Sequence, residues 1–399
     1  MPEFHWPIGE VLGRENYYTL EARDFKGRVF GAQGLLPVRH TGPGGTVFYA
    51  KAWSVTLTEE AEEGLDKSYL RVVFPKEVRF PPNTLVSEEK LIGGQREALK
   101  RGLSAAKFLS CGIEFQIEFE AAAGKTIISA SSHEIAFDEK TVNCIIDAFA
   151  FVTASMEPWS IVETWTKHQT ETRIRSRRVE KRRSRIGPPL STSDPPGDDV
   201  WKLFHRYLAF GLASSDESRH PLASYVRAVL TSGASVLDVQ EIVLSVTIES
   251  LLREQFSFLP FEHENLHAQI EAITDLLNAQ DDLDDTFRTR LFGALQAMKS
   301  PRAKDRLMAL QKRSLIDKNV VRTYRKFRGK SAHGVGVNWA EIQSHLDQSS
   351  AMLVLFYQLV FLRIGSQGPY IDYGSSGYPE RRFEAHLNHA FERLADHSG

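Results

Sequence analysis

The sequence predicts an α+β protein: a β-rich N-terminal part followed by an all-helical C-terminal part. Three observations carry this reading. Up to about residue 176 the chain is a series of short runs rich in β-branched and aromatic residues with partial alternation. Near residue 185 it changes character through a basic run and a proline-rich stretch. From residue 200 onward apolar residues recur every three or four positions.

In the first part, "GTVFYAKAWSVTLT" (45–58), "SYLRVVF" (68–74), "CGIEFQIEF" (111–119) and "KTIISASSHEIAF" (125–137) read as strands. A further strand is expected through "SIVETWTKHQTETRIRS" (160–176). Two helices are expected to interrupt them, over "SEEKLIGGQREALKRGLSAAKFL" (87–109) and "NCIIDAFAFVTASM" (143–156). Between Arg173 and Arg185 lie Arg175, Arg177, Arg178, Lys181, Arg182 and Arg183 as well. This run is either a solvated strand end or a phosphate-binding patch, and it has no aromatic residue for base stacking. "GPPLSTSDPPGDD" (187–199) has no apolar periodicity and reads as a linker.

In the second part, Asp198 or Asp199 can cap a helix that starts at Val200. Helical apolar spacing follows at Val239, Ile242, Val243 and Val246, then at Phe287, Leu291, Leu295 and Met298, then at Ile316, Val320, Tyr324 and Phe327. "NWAE" (338–341) is a capping-box signature ahead of a very apolar helix over 339–364. The expected division is a β-rich domain at 1–185, a linker at 186–199, a helical domain at 200–372 and a C-terminal tail helix at 373–399.

Composition narrows the function classes. Of 399 residues 42% are apolar and 25% charged, and a net charge of −2 leaves any nucleic-acid footprint to be local. Two cysteines, Cys111 and Cys144, are too few for a disulfide framework and point to a reducing, cytoplasmic setting. "MPEFHWPIGE" lacks the apolar core of a signal peptide. The run 351–365 is shorter than a membrane span and contains Gln358 and Arg363, so a buried bundle helix is expected and no membrane partner.

"FRGKSAHGVG" (327–336) offers competing sites. Its Gly329-Lys330-Ser331 triplet is not a phosphate loop, because the Gly required five residues before the Gly-Lys pair is Tyr324; Gly124-Lys125-Thr126 fails the same way, with Phe119 there. "HENLH" (263–267) matches the zinc-hydrolase pattern, in which two histidines four apart on a helix bind the metal and a glutamate activates water, but no third ligand stands in a fitting context. Arg-x4-His occurs twice, as Arg328…His333 and Arg381…His386. The first lies where an amphipathic helix gives way to an apolar one and is followed by Gly334 and Gly336, which leave room for a ligand; the second lies in a polar tail. An Arg and a His are nearly enough for metal-free RNA cleavage. The 2′-OH is its own nucleophile, His transfers protons near neutral pH, and Arg holds the phosphate as charge develops. Five residues on a straight helix separate two side chains by about 140°. Either the helix breaks at Gly329 or a second subunit completes the site.

An all-α part with "FRGKSAHG" between its last long helices resembles the HEPN superfamily, whose hallmark is Arg-x4–6-His, often as Arg-x-x-x-Ala-His-Gly. "VLSVTIESLLREQF" resembles the early helix of those domains, with Glu249 as its acidic residue, and "GPYIDYGSSGYPE" resembles the tail of ApeA-like HEPN proteins, which also carry a β-rich domain before the bundle. The resemblance implies a cytoplasmic, metal-independent RNA endonuclease of anti-phage defence, acting by abortive infection on tRNA or other RNA. It implies no cofactor and no metal. It also implies a homodimer or higher oligomer in which two motifs meet, with a phage-derived trigger acting on the N-terminal domain. Carried over residue by residue, Arg328 and His333 are catalytic and Glu249 supports the site; Lys330 and Arg325 are expected from their charge to contact the RNA backbone. Active members often have Asn, Asp or His after the arginine, where this chain has Gly329. The alternatives are a catalytically silent HEPN module for binding and dimerisation, and a zinc hydrolase on "HENLH".

Overall fold

The computed structural model describes residues 18–385 except 36, 43–44, 51, 53, 62–64, 93–94, 176–183, 194–196, 216–218, 260–264, 281–282, 300 and 333–341. The N-terminal elements are β1 (Tyr18–Arg23), β2 (Val29–Leu35), β3 (Pro37–Gly42), β4 (Gly45–Ala50), β5 (Ser54–Glu60), β6 (Ser68–Phe74), β7 (Thr84–Ile92), β8 (Gln95–Ser110), β9 (Ile113–Glu120), β10 (Lys125–Ser132), α1 (Glu139–Thr153), β11 (Ile161–Trp165) and β12 (Gln169–Arg175). Ten of these strands form one antiparallel sheet in the order β1-β2-β5-β12-β11-β6-β10-β9-β8-β7, with β3 and β4 as a separate ribbon.

Alternation sorts the sheet's two faces. Leu70, Val72, Phe74, Phe115, Ile117, Ile128, Ala130 and Val162 are buried on one face. Helix α1 covers that face: Phe149 meets Phe74 at 5.4 Å between ring centroids. Each of the Leu, Val, Ile and Phe side chains contributes about 1.5–3 kcal/mol through burial. Asp138 caps α1, its carboxylate accepting from Thr141 N–H at 2.8 Å, and Ala154 ends it in the left-handed region. The opposite face carries Tyr69, Arg71, Lys107, Glu114, Gln116, Ser129, Ser131, Glu163 and Trp165.

Two expectations fail here. The helix expected over 87–109 is the β7–β8 hairpin, in which Ile92 pairs with Gln95. Its Glu, Lys, Arg, Ala and Leu residues favour helix locally, but β8 also pairs with β9 from Ala105 to Ser110, and that pairing overrides propensity. The Gly-Gly dipeptide between the two strands is the overlooked hairpin signal. The strand expected over 160–176 is two strands, β11 and β12, joined through a turn in which the Thr166 hydroxyl donates to Gln169 C=O and accepts from Gln169 N–H.

Eight helices follow among the described residues: α2 (Asp198–Leu212), α3 (Ala223–Ser232), α4 (Leu237–Gln255), α5 (Leu266–Asn278), α6 (Asp285–Met298), α7 (Ala303–Lys312), α8 (Lys318–Ala332) and α9 (Ile342–Ile364). Helix α2 begins two residues before the expected Val200. The hairpin β13 (Gly368–Ile371)–β14 (Glu380–Phe383) comes next. The tail expected as a helix over 373–399 is therefore a strand at 380–383, and residues 386–399 lie outside the described residues.

Every residue from Met352 to Leu362 of α9 is buried, as the apolar run 351–365 implies. The core face of α4 is not the stripe picked out by spacing. Leu244, Ile248, Leu251 and Leu252 are buried, whereas Val239, Ile242 and Val246 are exposed. Phe287 and Met298 of α6 are also exposed. On α8, Tyr324 and Phe327 are buried as expected.

The chain divides into two compact units. One is Met1–Lys181 with Thr192–Trp201 and Leu212–His220; the other is Arg182–Ser191, Lys202–Gly211 and Pro221–Gly399. The segment read as a linker at 186–199 is thus shared between them rather than free. Its first part is a strap on the helical unit. Arg185 N–H donates to Gly233 C=O, the Tyr357 hydroxyl donates to Gly187 C=O at 2.6 Å, the Tyr373 hydroxyl donates to Pro188 C=O at 2.8 Å, and Ile371 N–H donates to Pro189 C=O. Ile186 and Leu190 are buried. A Cβ at Gly187 would collide with the Tyr373 hydroxyl, itself pinned by its bond to Pro188.

Two consequences are measurable. Gly187→Ala should lower stability by about 1–3 kcal/mol, the usual cost of overpacking, in thermal or urea denaturation. Limited proteolysis of the native protein should spare residues 184–191; early cleavage there would show that the strap is not docked.

Candidate functional site

Helix α8 carries six basic residues and no acidic one, in the order KNVVRTYRKFRGKSA. Tyr324 and Phe327 turn into the helical core, while Arg322, Arg325, Lys326 and Arg328 are exposed. The helix therefore presents a basic side to solvent, and Arg328 stands at its edge toward α4.

Arg328 is held by α4. Its Nε donates to Glu249 Oε2 and its Nη2 to Oε1, both at 2.9 Å, a two-point pairing that fixes the guanidinium plane. The hydrogen bonding of Arg328 to the Glu249 carboxylate raises the Arg328 pKa above its ordinary value. The pair is half-open, with side-chain exposures of 48% and 35%, so water screens it. Two donors are used on the edge facing Glu249, and the outer edge of the guanidinium keeps three N–H groups.

Around this pair lies a polar cluster. Tyr324, one turn before Arg328, is 1% exposed. Burial pushes its phenol pKa up to about 12, the Glu249 charge adding to the rise and Arg328 opposing it. Arg253, one turn after Glu249, is exposed and paired with Glu254, which also accepts from the Tyr225 hydroxyl. Arg306 of α7 is buried and donates to the Leu252 carbonyl at 3.1 Å and to the Arg253 carbonyl, closing the C-terminal end of α4; burial lowers its pKa.

The other expected residues fall as follows. Lys330 lies in the last turn of α8, where only the backbone is described, and His333 lies outside the described residues. Of "HENLH", His263 and Glu264 lie outside them, and α5 starts at Leu266, so the described helix contains His267 but not His263. Among the described residues no group of three or more His, Cys, Asp and Glu side chains is arranged to hold a metal. Arg381 of the second Arg-x4-His pair is in β14, bound to Asp372 at 2.7 Å, and His386 lies outside the described residues. In the basic run, Arg173 and Arg175 end β12, Arg173 facing Glu171 at 3.1 Å and Arg175 stacked on Trp159 at 4.0 Å; residues 176–183 lie outside the described residues.

Sequence reading missed a buried trio. His345 Nδ1 is 3.0 Å from Glu241 Oε1, and the Ser349 hydroxyl donates to the same oxygen at 3.2 Å. All three are buried. The hydroxyl bonds the carboxylate rather than the imidazole, so this is no nucleophile–base pair; it ties α4 to α9. Reading also missed Arg322 and Lys326, which the charge pattern of α8 could have revealed, and Arg253 and Arg306, which no local pattern marks. The sheet unit holds a cleft of about 920 Å³ lined by Tyr69, Arg71, Lys107, Ser131 and Trp165 among others. Arg328 is not among the residues that line this cleft.

No protein-family model, no curated protein and no solved structure matches the chain. Among the described residues no helix is long and apolar enough to cross a membrane.

The geometry separates two arginines by role. Arg328→Ala should change unfolding free energy by less than about 1 kcal/mol, as expected of a solvated pair. Arg306→Met should cost about 1–3 kcal/mol, because it leaves buried carbonyls unpaired. Urea titrations of both variants check this, and a larger loss for Arg328→Ala than for Arg306→Met would overturn it.

Proposed function

We propose that the protein is a metal-independent RNA endonuclease of HEPN type, serving anti-phage defence in the cytoplasm by cutting RNA, with tRNA among the targets. The observation that carries this reading is Arg328: an exposed guanidinium, oriented by Glu249, at the edge of a helix whose basic side has no acidic residue. Such a group, oriented by Glu249 through a weak, half-open pair, suits the capture of a phosphate. Arg325 extends the positive surface along which an RNA backbone can lie, and Lys330 adds a further positive charge to the same helix sequence.

In this mechanism His333 takes the proton of the ribose 2′-OH and returns one to the leaving 5′-oxygen. Arg328 neutralises charge on the phosphoryl oxygens as the 2′-oxygen attacks. The products are a 2′,3′-cyclic phosphate and a 5′-hydroxyl end. One Arg and one His make a sparse site, and a homodimer that faces two such segments across a two-fold axis doubles both groups at one phosphate. The sheet unit then serves recognition of a phage-derived trigger.

A second reading is a binding and dimerisation module without cleavage. Glu249 favours it by occupying two of the Arg328 donors, and Gly329 stands where active members often have Asn, Asp or His.

Purified protein should cut single-stranded or tRNA-like RNA in EDTA and leave cyclic phosphate ends. Arg328→Ala and His333→Ala should each abolish cutting with the fold intact; His263→Ala, His267→Ala and His386→Ala should not. Activity that EDTA removes and Zn²⁺ restores would reject the mechanism, and RNA binding without cleavage would select the second reading.

A further inference from the structure

Tyr324 has a feature that its role as a core residue does not explain. It is 1% exposed, its hydroxyl is shut off from water, and among the described residues that hydroxyl has no hydrogen-bond partner. A buried unpaired hydroxyl lowers stability, and a phenylalanine would fill the same space without that cost. The phenol lies one turn from Arg328 on the same side of α8, within electrostatic reach of both Arg328 and Glu249. With its pKa raised by burial it stays protonated at neutral pH, so it is available as a donor. Glu249 is the carboxylate whose charge acts on the phenol, and the two are not hydrogen-bonded to each other. Each of its oxygens takes one bond from Arg328 and can take more.

We propose that Tyr324 is the standby partner of Glu249: when Arg328 turns from Glu249 toward an incoming phosphate, the Tyr324 hydroxyl donates to the carboxylate that Arg328 has left. The inference rests on the anion-binding role of Arg328. Without the phenol, each release of Arg328 strands a carboxylate beside a polyanion, which opposes binding. With it, the carboxylate exchanges one donor for another and the arginine is free to move. The hydroxyl is unsatisfied in the unliganded protein because its use belongs to the liganded one. Tyr324 is thus a positioning residue, acting through Glu249 and Arg328 rather than on the ligand.

The test uses the full chain and a short fluorescent 2′-O-methyl oligonucleotide, which binds but cannot be cut. Tyr324→Phe should melt at the same temperature as wild type or higher, yet bind the oligonucleotide about tenfold more weakly, a loss of about 1.4 kcal/mol. In a Glu249→Gln background no charge is stranded, so adding Tyr324→Phe should change affinity little. A tyrosine with only a packing role would show neither the affinity loss nor this dependence on the Glu249 charge. Unchanged affinity in Tyr324→Phe, alongside a clear loss in Arg328→Ala, overturns this inference and leaves the function standing. Unchanged affinity in Arg328→Ala as well overturns both.

Discussion

A helix whose C-terminal half has no water-facing side organises the helical unit. From Met352 to Leu362 every side chain of α9 is buried, so other elements must surround it. Helix α4 lies parallel to it, fixed by Glu241 with His345 near one end and by Gln255 with Arg363 near the other. The strap at 184–191 ties to Tyr357, and Phe383 of β14 meets Phe361 edge-on at 6.0 Å. Helix α8 returns alongside with Tyr324 and Phe327 inward. Once α4 and α8 are set by this shared neighbour, Glu249 and Arg328 face each other as a consequence of packing.

The polar groups in this unit divide by burial, and the division follows their work. Glu241, His345 and Ser349 are buried and satisfied together, and Arg306 is buried against the end of α4. Groups of this kind fix register, since sliding α4 by one turn would strand all of them in a low dielectric. Arg328 and Glu249 are half-open, and their attraction is correspondingly weak. A strong, dry pair would hold the guanidinium too firmly to serve an external anion. A weak pair orients it at little thermodynamic cost to its release.

Much of this was legible in the sequence, for identifiable reasons. The α+β order, the helix at 139–153, the buried character of 351–365 and the strand at 68–74 follow from composition and periodicity. The β7–β8 hairpin was not legible, because its residues favour helix and only pairing with β9 makes it a strand. The core face of α4 was misread: it shows two apolar stripes, and only tertiary packing decides that Leu244, Ile248 and Leu251 go inward while Val239, Ile242 and Val246 stay outside. The proline-rich segment looked like a linker because its bonds are made by backbone carbonyls, which no side-chain pattern announces. Of the site, Arg328 and Glu249 stood out in the sequence, but their two-point pairing needed coordinates. Tyr324 fitted the core stripe and hid its hydroxyl.

A net charge of −2 on 399 residues tells nothing about where an anion would be attracted. Exposed charges act over about 8–10 Å at physiological salt, a distance comparable to two turns of helix. Within that radius of Arg328, α8 contributes Arg322, Arg325 and Lys326 and no carboxylate of its own; Glu249 is the nearby opposing charge, and Arg328 already engages it. The exposed side of α8 therefore carries positive charge although the molecule is slightly negative. An anion gains most where the arginine can leave its partner without exposing the partner's charge. That condition links the exposed face of α8 to a hydroxyl buried behind it, and makes the unsatisfied phenol part of the same electrostatic arrangement as the basic surface.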